Sequence, residues 1–289
     1  MAWVDAHCHI WALGRGDYAW LDPTDPAFAP IAQDFGADAL GQRLQAAGIS
    51  RAIVVQAAPT EAETLWLLEQ ARNAPHIAAI VGWADMTDPG FAARVEKLSA
   101  APALRGIRPM LQDLSPDWIS HAPIPGWADA LIDAGLCFDA LVRPAHLAVL
   151  ARVLARNPDL PVVIDHAAKP ALSAPDGDPR HQMWRDGMAR LSSETQALCK
   201  ISGLLTEMAP AELPRARDLL FPLLDQLLGW FGAERLMWGS DWPVLRLAGT
   251  YTDWHRLSAE WLAGQSDPVQ EQISGLTAAR FYTLPEAAT

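Results

Sequence analysis

Apolar and polar residues alternate along this chain with two different periods. Short runs that are apolar nearly throughout recur at 4–9, 51–58, 77–86, 104–111, 136–143, 160–166, 197–205 and 235–239. Runs of this kind predict strands buried on both faces, as in a parallel sheet. Between them lie stretches with helical patterning at 37–47, 60–73, 89–100, 126–134, 144–157, 181–193 and 213–231. Two closing helices are predicted at 254–262 and 268–281. Local signals mark several ends: Gly48 stops the first helix, Thr60 and Glu63 have capping-box spacing, and Pro144 opens a helix. Residues 168–179 read as a loop, the long irregular stretch 10–35 is of the kind that covers a site, and its shape with that of 115–125 is expected to set selectivity.

Strand and helix alternate eight times with no linker or break in composition, and residues 1–289 therefore read as one domain. Count, length and alternation favour a (β/α)8 TIM barrel over a doubly wound sheet. Neither GxGxxG nor GxxxxGK[ST] occurs, which disfavours a nucleotide-binding sheet.

Chemistry in such a barrel gathers where strands end. Val4, Ala6 and Cys8 alternate with Asp5, His7 and His9, so the two imidazoles share a side and can converge on one metal ion or one substrate oxygen. Further polar groups fall at strand ends: Arg105 and Arg108, Arg143, Asp165 and His166, Lys200 and Ser202, and Asp241. Each also has a plainer role available. Asp165 is expected to cap a helix or pair with Lys169 rather than act in catalysis. Lys200 or Ser202 can face the packed helices. His76, His146 and His255 read as packing or surface residues, and His121 stays open. Arg105 and Arg108, three apart on a strand, cannot both point inward unless it bends, and Arg108 is preferred. Trp11, Trp83 and Trp242 are candidate pocket walls, with core packing the alternative.

Composition narrows the partners. A net charge of −12 argues against nucleic acid or an anionic membrane surface as partner. No stretch of about 18 uncharged apolar residues suggests a span, and no signal-peptide pattern opens the chain. Three cysteines without a CxxC pair suit a reducing, cytoplasmic home. A small-molecule substrate is expected, and a homodimer is the default assembly.

Five segments then carry a resemblance: Asp5-Ala6-His7-Cys8-His9, the stretch from Leu104 to Asp113, Asp165-His166-Ala167-Ala168-Lys169-Pro170, Cys199-Lys200-Ile201-Ser202-Gly203-Leu204, and Gly239-Ser240-Asp241-Trp242-Pro243. In this order they resemble the amidohydrolase superfamily, and more closely its metal-poor amidohydrolase-2 branch of lactone hydrolases. The resemblance implies a sugar-acid lactonase acting on a fuconolactone, rhamnonolactone or galactonolactone. Pyrone-dicarboxylate lactonase and zinc-dependent decarboxylases are neighbours. His7 and His9 match the family's first-strand pair, His166 its mid-barrel histidine, and Asp241 its last-strand aspartate. Arg108, with Arg105, matches basic residues that meet substrate oxygens. Strand seven offers Lys200 and Ser202 but no histidine, which disfavours two tightly held metals.

Lactone hydrolysis needs a base for water, a stabilised oxyanion and a proton for the leaving alkoxide. Asp241 is the candidate general base, with His166 and Arg108 beside it. His7, His9, Arg105, Arg143, Trp242 and Trp11 are candidate substrate contacts. His7, His9, His166 and Asp241 also form a plausible shell for one divalent ion, zinc first, while the same residues can act without metal. The alternatives are a zinc-dependent decarboxylase of an aromatic or unsaturated acid, and a non-catalytic binding barrel.

Overall fold

The computed structural model describes residues 3–285, so residues 1–2 and 286–289 of the expected domain lie outside the described residues. Eight parallel strands follow one another in sequence order: β1 (Val4–Cys8), β2 (Arg51–Val55), β3 (Ile77–Gly82), β4 (Leu104–Ile107), β5 (Cys137–Ala140), β6 (Val162–Ile164), β7 (Leu198–Ile201) and β8 (Leu236–Trp238). The ring is completed above β8, where the His9 N–H donates to the Trp242 carbonyl and the Asp241 N–H to the His7 carbonyl, both at 2.7 Å. The molecule is a (β/α)8 barrel, as the alternation predicts.

The strands are shorter than the apolar runs suggest. The run 104–111 forms a strand only over Leu104–Ile107, and 197–205 only over Leu198–Ile201. Beyond each strand the apolar residues continue into short 3-10 turns such as Leu111–Asp113 and Leu205–Glu207. Leu111 and Leu205 at the start of those turns are buried although they lie outside the ladder, so hydrophobicity alone does not mark where the ladder ends.

Helices α1 (Ala37–Ala46), α2 (Glu61–Asn73), α3 (Phe91–Ser99), α4 (Trp118–His121), α5 (Trp127–Asp133), α6 (Leu147–Arg156), α7 (Pro179–Glu194), α8 (Ala216–Phe231), α9 (Tyr251–Ala263), α10 (Asp267–Glu271) and α11 (Thr277–Phe281) surround the strands. Short α4 lies in a stretch read as loop, and a π turn over Gln272–Leu276 joins α10 to α11. No helix among the described residues is long and apolar enough to cross a membrane.

Two apolar layers result. The larger joins outward strand residues such as Val54, Ile80, Phe138 and Ile164 to helix residues such as Leu67, Phe91, Leu131 and Leu227. The smaller gathers Val4, Ala6, Ile53, Val55, Val81, Val163 and Met237 with Tyr282. Each Val, Leu, Ile, Phe or Met among them contributes about 1.5–3 kcal/mol on full burial.

Strand β1 departs from simple alternation. Its register against β2 shifts between Asp5 and Cys8. Asp5 turns outward, accepting from Tyr251 Oη on α9 at 2.9 Å and from the Ser240 N–H at 2.8 Å. The shift reverses the phase, so His7 and His9 both face the barrel axis although Asp5 does not.

The closing seam leaves no room for a side chain at Gly239. A Cβ there would lie 2.7 Å from His7 Cβ and 2.9 Å from the His7 backbone nitrogen. Gly239→Ala is expected to destabilise the fold by about 1–3 kcal/mol through overpacking. Urea unfolding measures this, and an unchanged midpoint would contradict so tight a seam.

Candidate active site

Imidazoles from both ends of the chain converge on one carboxylate. Asp241 Oδ1 lies 3.2 Å from His9 Nε2 and 3.8 Å from both His7 Nε2 and His166 Nε2. All four residues are at least 96% buried, His166 and Asp241 being 4% exposed. Burial pushes the Asp241 carboxyl up, but His166, His9 and His7 outweigh it and hold the group well below the usual carboxylate range. Burial lowers His166 to about 4, against the pull of Asp241. At neutral pH the site therefore pairs an ionised Asp241 with a neutral His166.

Unusual backbone aims these groups. His166, Ala167, Ala168 and Lys169 have φ of 52°, 48°, 59° and 52°, and Asp241 has φ of 58°. A left-handed conformation costs an L-residue about 1–2 kcal/mol, and such strain collects where geometry serves a site. The turn is pinned by Trp184 Nε1 donating to the Ala167 carbonyl at 2.7 Å and by the Lys169 N–H donating to the His166 carbonyl at 2.8 Å.

Beneath the histidines lies an ionic layer. Lys200 Nζ, fully buried, contacts Asp139 Oδ2 at 2.6 Å, Asp165 Oδ1 at 3.0 Å and His7 Nδ1 at 3.1 Å. Asp165 also meets His7 Nδ1 at 3.2 Å and Arg108 Nη1 at 3.4 Å. Burial alone would raise the Asp165 carboxyl, yet Lys200, His7 and Arg108 hold it well below its ordinary value. Burial drives the His7 imidazole well below its ordinary value, opposed by Asp165. Nδ1 of His7 thus faces both the Lys200 ammonium and the Asp165 carboxylate, and its Nε2 faces Asp241. Tyr282 Oη closes the layer from below by donating to Asp139 at 2.7 Å.

His9 is constrained by backbone. Its Nδ1 donates to the Val55 carbonyl at 2.8 Å, and that oxygen can only accept. In the neutral ring, Nε2 then presents an electron pair to Asp241 Oδ1 at 3.2 Å. Two electron-rich atoms so placed favour a cation between them, a proton or a metal ion. Ligand atoms of His7, His9 and Asp241 all lie within 4.8 Å of one another, and this donor set fits a small divalent cation.

A cavity of about 320 Å³ opens onto this group, with His9, Arg108, His166 and Asp241 in its wall. The amidohydrolase family profile matches residues 4–284. The chain belongs to the amidohydrolase family. It is 41% identical over 262 residues to an L-fucono-1,5-lactonase of Burkholderia ambifaria, covering 90% of this chain and 85% of that protein. It is 35% identical over 294 residues to an L-fucono-1,5-lactonase of Burkholderia multivorans, covering 99% and 97%. A crystal structure of an amidohydrolase from Burkholderia multivorans with bound zinc superposes with a TM-score of 0.86 at 33% identity, over 99% of this chain and 100% of that one.

Several residues singled out in the sequence of this amidohydrolase lie elsewhere. Arg105 sits near the start of β4, at the opposite end of the barrel beside Cys137, Asp159 and Tyr282. Arg108 lies just beyond the strand's end and reaches the cavity. Arg143 falls past the end of β5; its half-exposed side chain reaches the Gln112 carbonyl at 3.2 Å rather than the cavity. Trp242 and Trp11 are 2% and 0% exposed. Both pack against Phe35, because the loop 10–35 folds back and pairs Trp11 with Phe35. The aromatic cavity walls are Trp20 and Phe28, from that same loop. Trp83 lines a neighbouring apolar pocket. Asp165 pairs not with Lys169 but with Lys200, and Lys169 pairs with Glu207 at 3.4 Å. His166 approaches Asp241 yet stands outside the three-residue metal group. His121 is exposed beside Asp117, while His146 is buried at the start of α6.

Sequence reading missed Asp139 and Gly203. Asp139 sits in an apolar run and becomes meaningful only opposite Lys200. Gly203 has φ of 63°, and a Cβ there would lie 2.6 Å from His166 Nδ1 and 3.0 Å from Asp241 Oδ2. Ser202 Oγ, next to it, bonds His166 Nδ1 at 2.9 Å. The capping box at Thr60 is half formed. Thr60 Oγ1 accepts from the Glu63 N–H at 3.1 Å, but Glu63 Oε2 reaches the N–H groups of Ala57 and Ala58 at 3.0 and 2.7 Å. It thereby props the wall that Ala57 gives the cavity.

Two predictions follow from this geometry. Gly203→Ala is expected to leave circular dichroism unchanged but lower kcat/KM by about 100-fold, because an ångström-scale misplacement costs that much. Burial raises Glu63 to about 7 from an ordinary value of 4.5. The folded state therefore binds this proton more tightly than the unfolded chain. The associated stability is fully present below about pH 4.5 and is lost as pH rises through about 7, amounting to roughly 3 kcal/mol. Chemical denaturation across this range should show the fall in wild type and a flatter profile in Glu63→Gln; parallel profiles would contradict the assignment.

Proposed function

We propose that this amidohydrolase opens the ring ester of a sugar-acid lactone, with L-fucono-1,5-lactone the leading substrate. The observation that carries the reading is Asp241, ionised and ringed by imidazoles, in the wall of a cavity sized for one small ring. The likeness to two lactonases over most of the chain gives the reaction class.

Asp241 accepts the proton of a water molecule as that water attacks the lactone carbonyl. A carboxylate so stabilised is a weak base, and the carbonyl must therefore be strongly polarised. Arg108 offers an N–H to the developing oxyanion; its Nη groups are steadied by Asp165 and by the Gln56 carbonyl. Ser202 Oγ engages His166 Nδ1, which leaves the Nε2 side of His166 turned toward Asp241 and the cavity to donate to the same oxygen. The carbonyl-to-ring-oxygen bond then breaks, and Asp241 returns its proton to the departing alkoxide. The product is the open hydroxy acid. His7, His9 and Asp241 would hold one divalent cation, zinc first, which supplies Lewis-acid polarisation of the carbonyl when bound.

Decarboxylation of an aromatic or unsaturated acid is not favoured, since both relatives named above are lactone hydrolases. The three cysteines are free and buried, which suits a reducing cytoplasm.

Purified protein is expected to acidify L-fucono-1,5-lactone in a pH-indicator assay. Asp241→Asn should lower kcat by about 10²–10⁴-fold with the fold intact. Wild-type turnover in that variant would remove Asp241 from the role, and release of carbon dioxide without net hydrolysis would displace the lactonase reading.

A further inference from the structure

The cavity wall contains two cations, Arg108 and Lys169, and three carboxylates, Asp113, Glu207 and Asp241. Both cations already have partners. Arg108 Nη1 lies 3.4 Å from Asp165 Oδ2, and Nη2 donates to the Gln56 carbonyl. The charge of this guanidinium is thus already shared with a buried carboxylate and a backbone carbonyl. Lys169 Nζ lies 3.4 Å from Glu207 Oε1, with side chains only 19% and 18% exposed.

This second pair is held from both sides by backbone. Lys169 ends the left-handed turn after β6, with φ of 52°. Glu207 ends the 3-10 turn Leu205–Glu207 after β7. Its carbonyl accepts from Ser173 Oγ at 2.7 Å, and neighbouring Thr206 Oγ1 donates to the Gly203 carbonyl at 2.8 Å. Strained and well-anchored backbone thus places one ammonium and one carboxylate side by side on the wall of the reacting cavity.

We propose that Glu207 is a selectivity determinant: by masking Lys169 it bars lactones that carry an ionised carboxylate and admits neutral polyhydroxy lactones. Besides Asp241, whose charge a bound divalent cation would offset, an anionic ligand entering this cavity meets the carboxylates of Asp113 and Glu207 and, among the described residues of the wall, no side-chain cation without a partner. A neutral polyol meets instead both donors and acceptors, from Lys169, Glu207, Thr206 and Gln112. Selectivity here comes from an unfavourable charge set against the wrong ligand as much as from attraction to the right one.

This inference rests on the lactonase reading, and wild-type turnover of L-fucono-1,5-lactone tests that reading first. The selectivity test then compares kcat/KM for an aldarolactone bearing a free carboxylate with kcat/KM for L-fucono-1,5-lactone. Glu207→Gln uncovers Lys169 and is expected to raise the aldarolactone ratio by about tenfold or more, with tighter competitive inhibition by glucarate. The double variant Lys169→Met with Glu207→Gln should lose that gain. Lys169→Met alone leaves Glu207 bare and should lower the ratio below wild type, which keeps the test open should Glu207→Gln fold poorly. A ratio unchanged in the single variants, or a gain that persists in the double variant, would overturn the role of Glu207 while leaving lactone hydrolysis intact.

Discussion

A fully buried ammonium organises the barrel interior. Lys200 cannot keep its charge away from water without compensation, and Asp139 and Asp165 supply it at 2.6 and 3.0 Å. Burial lowers the affinity of Lys200 for its proton, but the two carboxylates outweigh burial and raise it. Arg108 adds a second cation against Asp165. Removing one partner from a buried set of this kind typically costs about 3–5 kcal/mol, because another charge is stranded. The set draws residues from β5 and β7 and from just past the ends of β4 and β6, and it touches His7 on β1. The ring closure that brings these elements together and the charge balance that tolerates them are therefore one constraint.

On that base stand the groups that face the cavity. Lys200 and Asp165 contact Nδ1 of His7, the Val55 carbonyl sets the proton on His9, and Ser202 contacts Nδ1 of His166. Each imidazole is thus oriented from behind, and each turns its other nitrogen toward Asp241. Orientation from behind is what holds a reacting group to the small tolerances that catalysis and metal binding require. It carries a cost in stability, visible in the left-handed run at His166–Lys169 and at Asp241. The apolar layers around and below the site offset that cost.

Loops add a second level of control. Trp20 and Phe28 come from the loop 10–35, whose own core of Trp11, Tyr18 and Phe35 is packed beneath them. Turns after β6 and β7 contribute Lys169 and Glu207. The cluster of imidazoles and Asp241 is built at strand ends, whereas much of the remaining cavity wall belongs to loops and turns, the usual division in barrels of this type.

The sequence by itself determined the number of strands, their order and the one domain they form, because burial on both faces leaves an apolar run that needs no partner to be read. His7, His9, Arg108, His166 and Asp241 were legible for a related reason: each is a polar residue at the end of such a run. Tertiary structure alone decided which other polar residues join them. Arg105 and Arg108 look alike in sequence, and only the strand's length sends one to each end of the barrel. Trp11, Trp20 and Trp242 are chemically equivalent, and only the folding back of one loop decides which of them lines the cavity. The partner of Asp165 was out of reach for the same reason, since Lys200 lies 35 positions from it in the chain and 3.0 Å from it in space. Pairing of buried charges depends on distance across the ring, and a linear pattern carries no record of that distance.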